Sequence, residues 1–502
     1  MKHWYCSSVS FDTLRELYQM IWQLSFAAAY LEIQTMVFDS CSYLLGSTAT
    51  NTRFLTNSQT LIAAAAVLLF GVSHCAASDS NWPQFRGPHA DGVSDEPAPT
   101  TWNVETGENI RWQTPIPGLG HASPIVWGDR LYVATTVRVG AKADLKIGIY
   151  GDGASYKEKE PHQWRLLCLD KATGKILWDK LAHEAVPRLE RHTKATHCNS
   201  TPATDGKRIV AILGSEGLFC FDMEGNRLWQ RDLGKMDAGP WNSPDLQWSF
   251  ASSPVLHEGR VIVQCDVLSE QFLGAYGATD GRETWRTPRK EVANWCTPTI
   301  AADAGQIVVN GWKQIGGYDL ENGKLLWELE GGGDIPVPAP LVAHGLAFFT
   351  SAHGKYRPLR AVRLTARGNI TPPEMEATNN AVAWCHPRLG SYMQTPIVVG
   401  SLLWSCDWMG VLTCVDARTG RLHYSERLGK GGQAFTASPI AAKDKLYFAS
   451  EGGDVFVVAA GEKFSVTATN QLGGLCLSTP AISGETIFFR TTERIVAVSP
   501  KK

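Results

Sequence analysis

The sequence predicts an all-β protein in which eight four-stranded sheets close into a ring. Three observations predict it. An eleven-residue phrase recurs as CLDKATGKILW (168–178), GYDLENGKLLW (317–327) and CVDARTGRLHY (414–424). A second phrase, a small or hydroxyl residue followed by Pro and two short apolar runs, occurs eight times, at Pro124, Pro202, Pro254, Pro298, Pro340, Pro396, Pro439 and Pro480. The last copy stops at RIVAVSPKK, and the turn and Trp it lacks stand near the start of the chain as TGENIRW, ending in Trp112. Self-similarity with shortest steps of 41 to 44 residues is the signature of a repeat architecture.

Each copy divides into four strands. The Pro opens the innermost strand, where a missing N–H costs least. A turn such as ATDG or VWGD leads to a second strand rich in β-branched and aromatic residues, as in RLYVATT. A Gly-containing hairpin leads to the third, as in LLCLD. The recurrent phrase then supplies an Asp-to-Gly turn, with Gly at positive φ, and a fourth strand ending in an aromatic wedge against the next sheet. The wedges are Trp112, Trp178, Trp229, Trp285, Trp327 and Trp384, with Tyr424 in the sixth copy, while the seventh copy, VVAAGEKFSVTATN, has lost the phrase. Cys168, Cys220 and Cys414 share a place held elsewhere by Ala275, Gly317, Ala361 or Ala497, which reads as a small buried packing position. The strand before Trp112 should complete the last sheet, closing an eight-bladed β-propeller without exposed edges.

Composition bounds the rest. Hydrophobic residues make up 44% and charged residues 19% of the 502, as expected of a globular chain. A formal net charge of −2 gives no electrostatic ground for a nucleic-acid partner. The apolar run LIAAAAVLLFGV (61–72) is too short to span a bilayer. With the small residues up to Ala77 it resembles a signal peptide. Residues 1–77 are therefore read as a leader, carrying a signal-peptide-like segment at 61–77 and an assigned start too far upstream. Residues 78–502 are read as a single propeller, exported to the periplasm, cell envelope or medium, monomeric, and without a membrane span. Beyond Cys6, Cys41 and Cys75 nine cysteines remain, with no CxxC pair and no metal-ligand spacing, so no metal site is expected.

The turn-plus-Trp phrase, with Asp170, Thr173, Gly174, Lys175 and Trp178 all in place, resembles the tryptophan-docking repeat of pyrroloquinoline-quinone (PQQ) type propellers. The resemblance covers about residues 81–500. It implies the eight-bladed fold but not one activity, since such propellers include quinoprotein dehydrogenases and the non-catalytic assembly lipoprotein BamB. A further group, exported propellers of planctomycete-type bacteria, opens with a phrase like NWPQFRGPHADGVS, here 81–94.

Dehydrogenase chemistry needs cations for the quinone's carboxylates, oxygen ligands for Ca²⁺ and a carboxylate base. Many such enzymes also carry a vicinal Cys pair, and this chain has none. The expectation is therefore a non-enzymatic binding or scaffold module for a protein or glycan partner in the envelope, with no catalytic residue and no cofactor. The alternatives are a PQQ- and Ca²⁺-dependent dehydrogenase of alcohols or sugars and a BamB-like assembly factor. Residues just before each Pro should approach the channel, among them His121, Met393 and Gln394. The candidate ligand-binding residues are His192, Lys194, His197 and Asn199 in one entry loop, Trp295 in another, and Asp266 and Asp407 at ends of second strands. The insertion between Val137 and Trp164, with KEKEPHQ (157–163), reads as a solvated loop that could dock a partner. EGGGDIPVP (330–338) reads as a linker between blades.

Overall fold

In the computed structural model the described residues are 80–501, apart from 149, 352, 354 and 355. The expected leader, 1–77, lies outside them. Eight antiparallel sheets follow one another along the chain. Blade 1 is built from Ile125–Trp127, Arg130–Arg138, His162–Asp170 and Ile176–Ala185. Blade 8 takes three strands from the C-terminus, Ala481–Ser483, Thr486–Arg490 and Arg494–Val498, and its outer strand, Ile110–Pro115, from the other end of the chain. That strand pairs antiparallel with Arg494–Val498, placing Trp112 opposite Ala497. The ring closes as the broken eighth copy requires.

The recurrent phrase has one physical job. Each wedge aromatic stands directly across the ladder from a small residue: Trp178 from Cys168, Trp229 from Cys220, Trp285 from Ala275, Trp327 from Gly317, Trp384 from Ala361 and Tyr424 from Cys414. A β-bulge follows each pair and re-aims the strand. The indole reaches the next blade and lies on the Gly of its turn. A Cβ at Gly174 would fall 2.4 Å from Trp112, and one at Gly225 would fall 2.8 Å from Trp178. The indole N–H of Trp112, Trp229 and Trp384 donates to Lys171, Ala278 and Ala417 carbonyls, one turn position each time. Trp327 instead donates to Gln306 of its own blade, and its outer strand gains a short parallel strand, Gly368–Asn369.

The seventh blade keeps four strands although its phrase is lost; Ala468 stands where a Trp would, opposite Val457. Its wedge comes from elsewhere in the chain. Trp102 packs into the same apolar cluster, 5.5 Å from Phe489 of blade 8, and donates its indole N–H to Gln471.

Two segments take places that the sequence did not indicate. Residues 81–94 cross the ring. Trp82 exchanges backbone hydrogen bonds with Val126 of blade 1, and Pro83 accepts from Thr204 of blade 2. Arg86, fully buried, then donates to the carbonyls of Pro396 and Pro439 in blades 6 and 7, and Val93–Ser94 pairs in parallel with the inner strand of blade 7. Blades 2 and 6 face each other in a ring of eight, so this segment passes across the central axis. The blade 1 insertion is the second: it is largely exposed, as expected of a solvated loop, but it is tethered. Ser155–Tyr156 pairs with Arg191–His192, and Gly148 N–H donates to Glu451 of blade 7. Within KEKEPHQ the Glu158 side chain turns inward and is only 4% exposed, while Lys157 and Lys159 stay in solvent. Arg191 grips both its oxygens at 2.9 and 3.0 Å, and His197 Nε2 lies 2.9 Å away. Burial alone would raise its carboxyl, but bonds from His162, His197 and Arg191 outweigh that and hold it far below the ordinary carboxylate range.

Candidate functional site: a blind pocket at the channel mouth

The residue before each Pro is a hydroxyl in seven of the eight blades. Its backbone N–H donates to the hydroxyl at the same place in the next blade. Ser123 donates to Thr201, Thr201 to Ser253 and Ser253 to Thr297; Ala339 donates to Thr395, Thr395 to Ser438 and Ser438 to Thr479, all at 2.9 to 3.0 Å. The series breaks twice among the described residues: Ala339 has no hydroxyl to offer Thr297, and Thr479 N–H makes no such bond to Ser123. This belt ties inner strand to inner strand and satisfies buried N–H groups that have no ladder partner.

Above the belt lies a cavity of about 200 Å³. Phe85, from the segment that crosses the axis, contributes to its floor together with the belt hydroxyls. Trp248, Trp295 and Tyr392 form aromatic walls, and Tyr150 of the insertion stands at the rim. Trp248 lies 5.3 Å from Trp295 and 5.4 Å from His192, centroid to centroid. Trp295 is oriented by its indole N–H bond to Ser249, whereas the buried indole N–H of Trp248 has no partner among the described residues.

Charge around the pocket is uneven. Lys194 Nζ meets Glu451 Oε1 at 2.6 Å, and burial lowers its pKa. Glu451 is fully engaged, accepting also from Gly148 N–H and Thr436 Oγ1–H. His121 donates through Nε2 to the Lys194 carbonyl, and burial pushes its pKa down to about 4. His192 accepts at Nδ1 from Lys194 N–H, so its neutral ring carries the proton on Nε2; burial brings it to about 4 as well. Beneath the His121–Ser123 turn, Arg490 is buried and donates to the carbonyls of Ala122 and Ala134. Among the described residues, neither Arg490 nor Arg86 has a carboxylate within ion-pair distance.

Of the residues singled out from sequence, His192, Lys194, Asn199 and Trp295 line this pocket, as do His121 and Met393. Asn199 spends its amide on Thr196 and Phe250. His197 turns away to Glu158. Asp266 is sealed in a fully buried pair with Arg289 and receives Asn294. Asp407 caps a turn by accepting from Met409 and Val411 N–H. Gln394 lies beside the pocket, its amide spent on the Ala437 carbonyl. The sequence reading did not pick out Phe85, Tyr150, Trp248 or the belt hydroxyls as lining residues. Only the hydroxyls carried a signal, the hydroxyl-Pro pair itself.

The donor set does not fit a Ca²⁺–quinone centre. Ca²⁺ is held by several oxygens, carboxylates foremost. No Asp or Glu is among the described residues that line the pocket, and the adjoining Glu451 is consumed by Lys194. One cluster elsewhere has metal-binding residue types, Glu158, His162 and His197. Its carboxylate is already held at both oxygens by Arg191, with Arg138 3.6 Å away, so it reads as a locked ion network.

Residues 165–422 match the family model described as outer membrane protein assembly factor BamB, over half of the chain. The chain belongs to this PQQ-repeat propeller family. Solved structures agree on the fold at low identity. A quinohemoprotein alcohol dehydrogenase from Comamonas testosteroni is 12% identical, with a TM-score of 0.56, covering 88% of this chain and 84% of its own. A europium-containing methanol dehydrogenase is 10% identical, with a TM-score of 0.52, covering 82% and 89%. BamB from Moraxella catarrhalis is 15% identical, with a TM-score of 0.49, covering 74% of this chain and 98% of its own. No curated protein matches the chain. Among the described residues of this PQQ-repeat propeller, no helix is long and apolar enough to cross a membrane.

Proposed function

We propose that this PQQ-repeat propeller is an exported, non-enzymatic binding module that takes a glycan of the cell envelope at its channel mouth. The observation that carries the reading is the pocket itself. It is floored by Phe85, walled by Trp248, Trp295 and Tyr392, and ringed by hydroxyls. Aromatic faces pack against the C–H faces of sugar rings, and fixed polar groups orient them. No lining carboxylate is placed to act as a base among the described residues, which argues for binding over alcohol oxidation.

The test is a titration of the full-length protein with a panel of mono- and disaccharides, read by Trp fluorescence and calorimetry. Saturable binding that is lost in Trp248→Ala, with the thermal melt kept, supports the reading. Binding of PQQ with Ca²⁺ and dye reduction with alcohols would replace it by the dehydrogenase. The family description favours a second reading, an assembly factor. Specific co-purification with outer-membrane barrel proteins, and no sugar binding, would favour that one.

A further inference from the structure

The belt hydroxyls have a consequence beyond holding the ring. Thr201, Ser253, Thr297, Thr395, Ser438 and Thr479 each use a lone pair on the preceding blade's N–H, and all six line the pocket. None of the six donates its own proton to a protein acceptor among the described residues. Their O–H groups are left for whatever enters. His192, whose neutral ring carries its proton on Nε2, lines the same cavity. Lys194 stands at the wall in its pair with Glu451, while Arg490, near His121, and Arg86, next in sequence to Phe85, are buried with only carbonyl partners. Two unpaired guanidiniums in a low-dielectric interior leave a positive field over a floor of donors. A neutral sugar hydroxyl both donates and accepts, whereas a carboxylate only accepts, and bonds to it are stronger.

We propose that the pocket selects an acidic sugar, a uronate, with its carboxylate seated on the hydroxyl belt and its ring against the aromatic wall of Trp248, Trp295 and Tyr392. This rests on the sugar-binding reading above and narrows it. The test compares glucuronate and galacturonate with glucose, galactose and methyl galacturonate, by calorimetry on the full-length protein at low and high salt. The uronates bind about tenfold or more tightly than the neutral sugars and the ester, and salt narrows the gap. Equal affinities overturn the acidic preference and leave the sugar reading standing; no binding by any of them overturns both. Ser438→Ala and Thr479→Val, accepted only if their melts stay cooperative, should weaken the uronates and spare the neutral sugars. Equal weakening of both classes also overturns the proposal. If neither variant folds, the wild-type comparison decides.

Discussion

At the scale of single residues, the chain is governed by contacts between a side chain and its counterpart one blade on. Trp178 fills the space over Gly225, a turn glycine at φ +79°, and any Cβ there would strike the ring. Trp178→Ala removes the wedge and should cost about 3–5 kcal/mol. Gly225→Ala keeps the wedge but adds backbone strain and a clash, at about 1–3 kcal/mol. Urea unfolding measures both, and a neutral Gly225→Ala would show that the wedge does not dictate the glycine. The belt makes a matching prediction of opposite sign. Ala339 is its missing hydroxyl, so Ala339→Ser should give Thr297 N–H an acceptor and stabilise by about 0.5–1.5 kcal/mol, while Thr395→Ala, which orphans Ala339 N–H, should cost about 1–3 kcal/mol.

At the scale of elements, three segments do what the repeat cannot. The strand Ile110–Pro115 closes the ring, Trp102 wedges the seventh blade, and the blade 1 insertion brings Tyr150 to the pocket. Glu158 pins that insertion to the entry loop through Arg191 and His197. Glu158→Ala strands Arg191 and should cost about 3–5 kcal/mol. Hydrogen exchange should quicken first in residues 145–160 and 188–197, and uniform exchange across all blades would refute this local role. The closing strand was legible from the broken eighth copy, whereas the Trp102 wedge and the Glu158 ties were not. KEKEPHQ reads as a charged surface tip because burial by a distant loop leaves no mark on a seven-residue string. NWPQFRGPHADGVS was legible as a phrase, but not as a segment crossing the axis.

At the scale of the molecule, acid is the predicted weakness. His121 and His192 are held neutral by burial, near 4 against an ordinary 6.5. The unfolded chain binds the extra protons between those values, so stability rises with pH across that window and is lost as pH falls from about 6.5 to about 4. The melting temperature should drop over that range, and less so in a His121→Gln, His192→Asn double variant. An equal drop would place the acid sensitivity elsewhere. The sequence by itself determined the ring: the count of blades, the turn and wedge of seven of the eight, the small buried residue two places before the turn Asp and the closure of the ends. These are local, repeated demands, and repetition lets them be read. The tertiary structure alone decided which residues share the pocket. It gathered His192, Lys194, Asn199 and Trp295 with Phe85, Tyr150 and Trp248, and it sent His197, Asp266 and Asp407 to structural partners. The physical reason is that a channel pocket is assembled from the entry segments of all eight blades, which ring geometry brings together although they lie far apart in the chain.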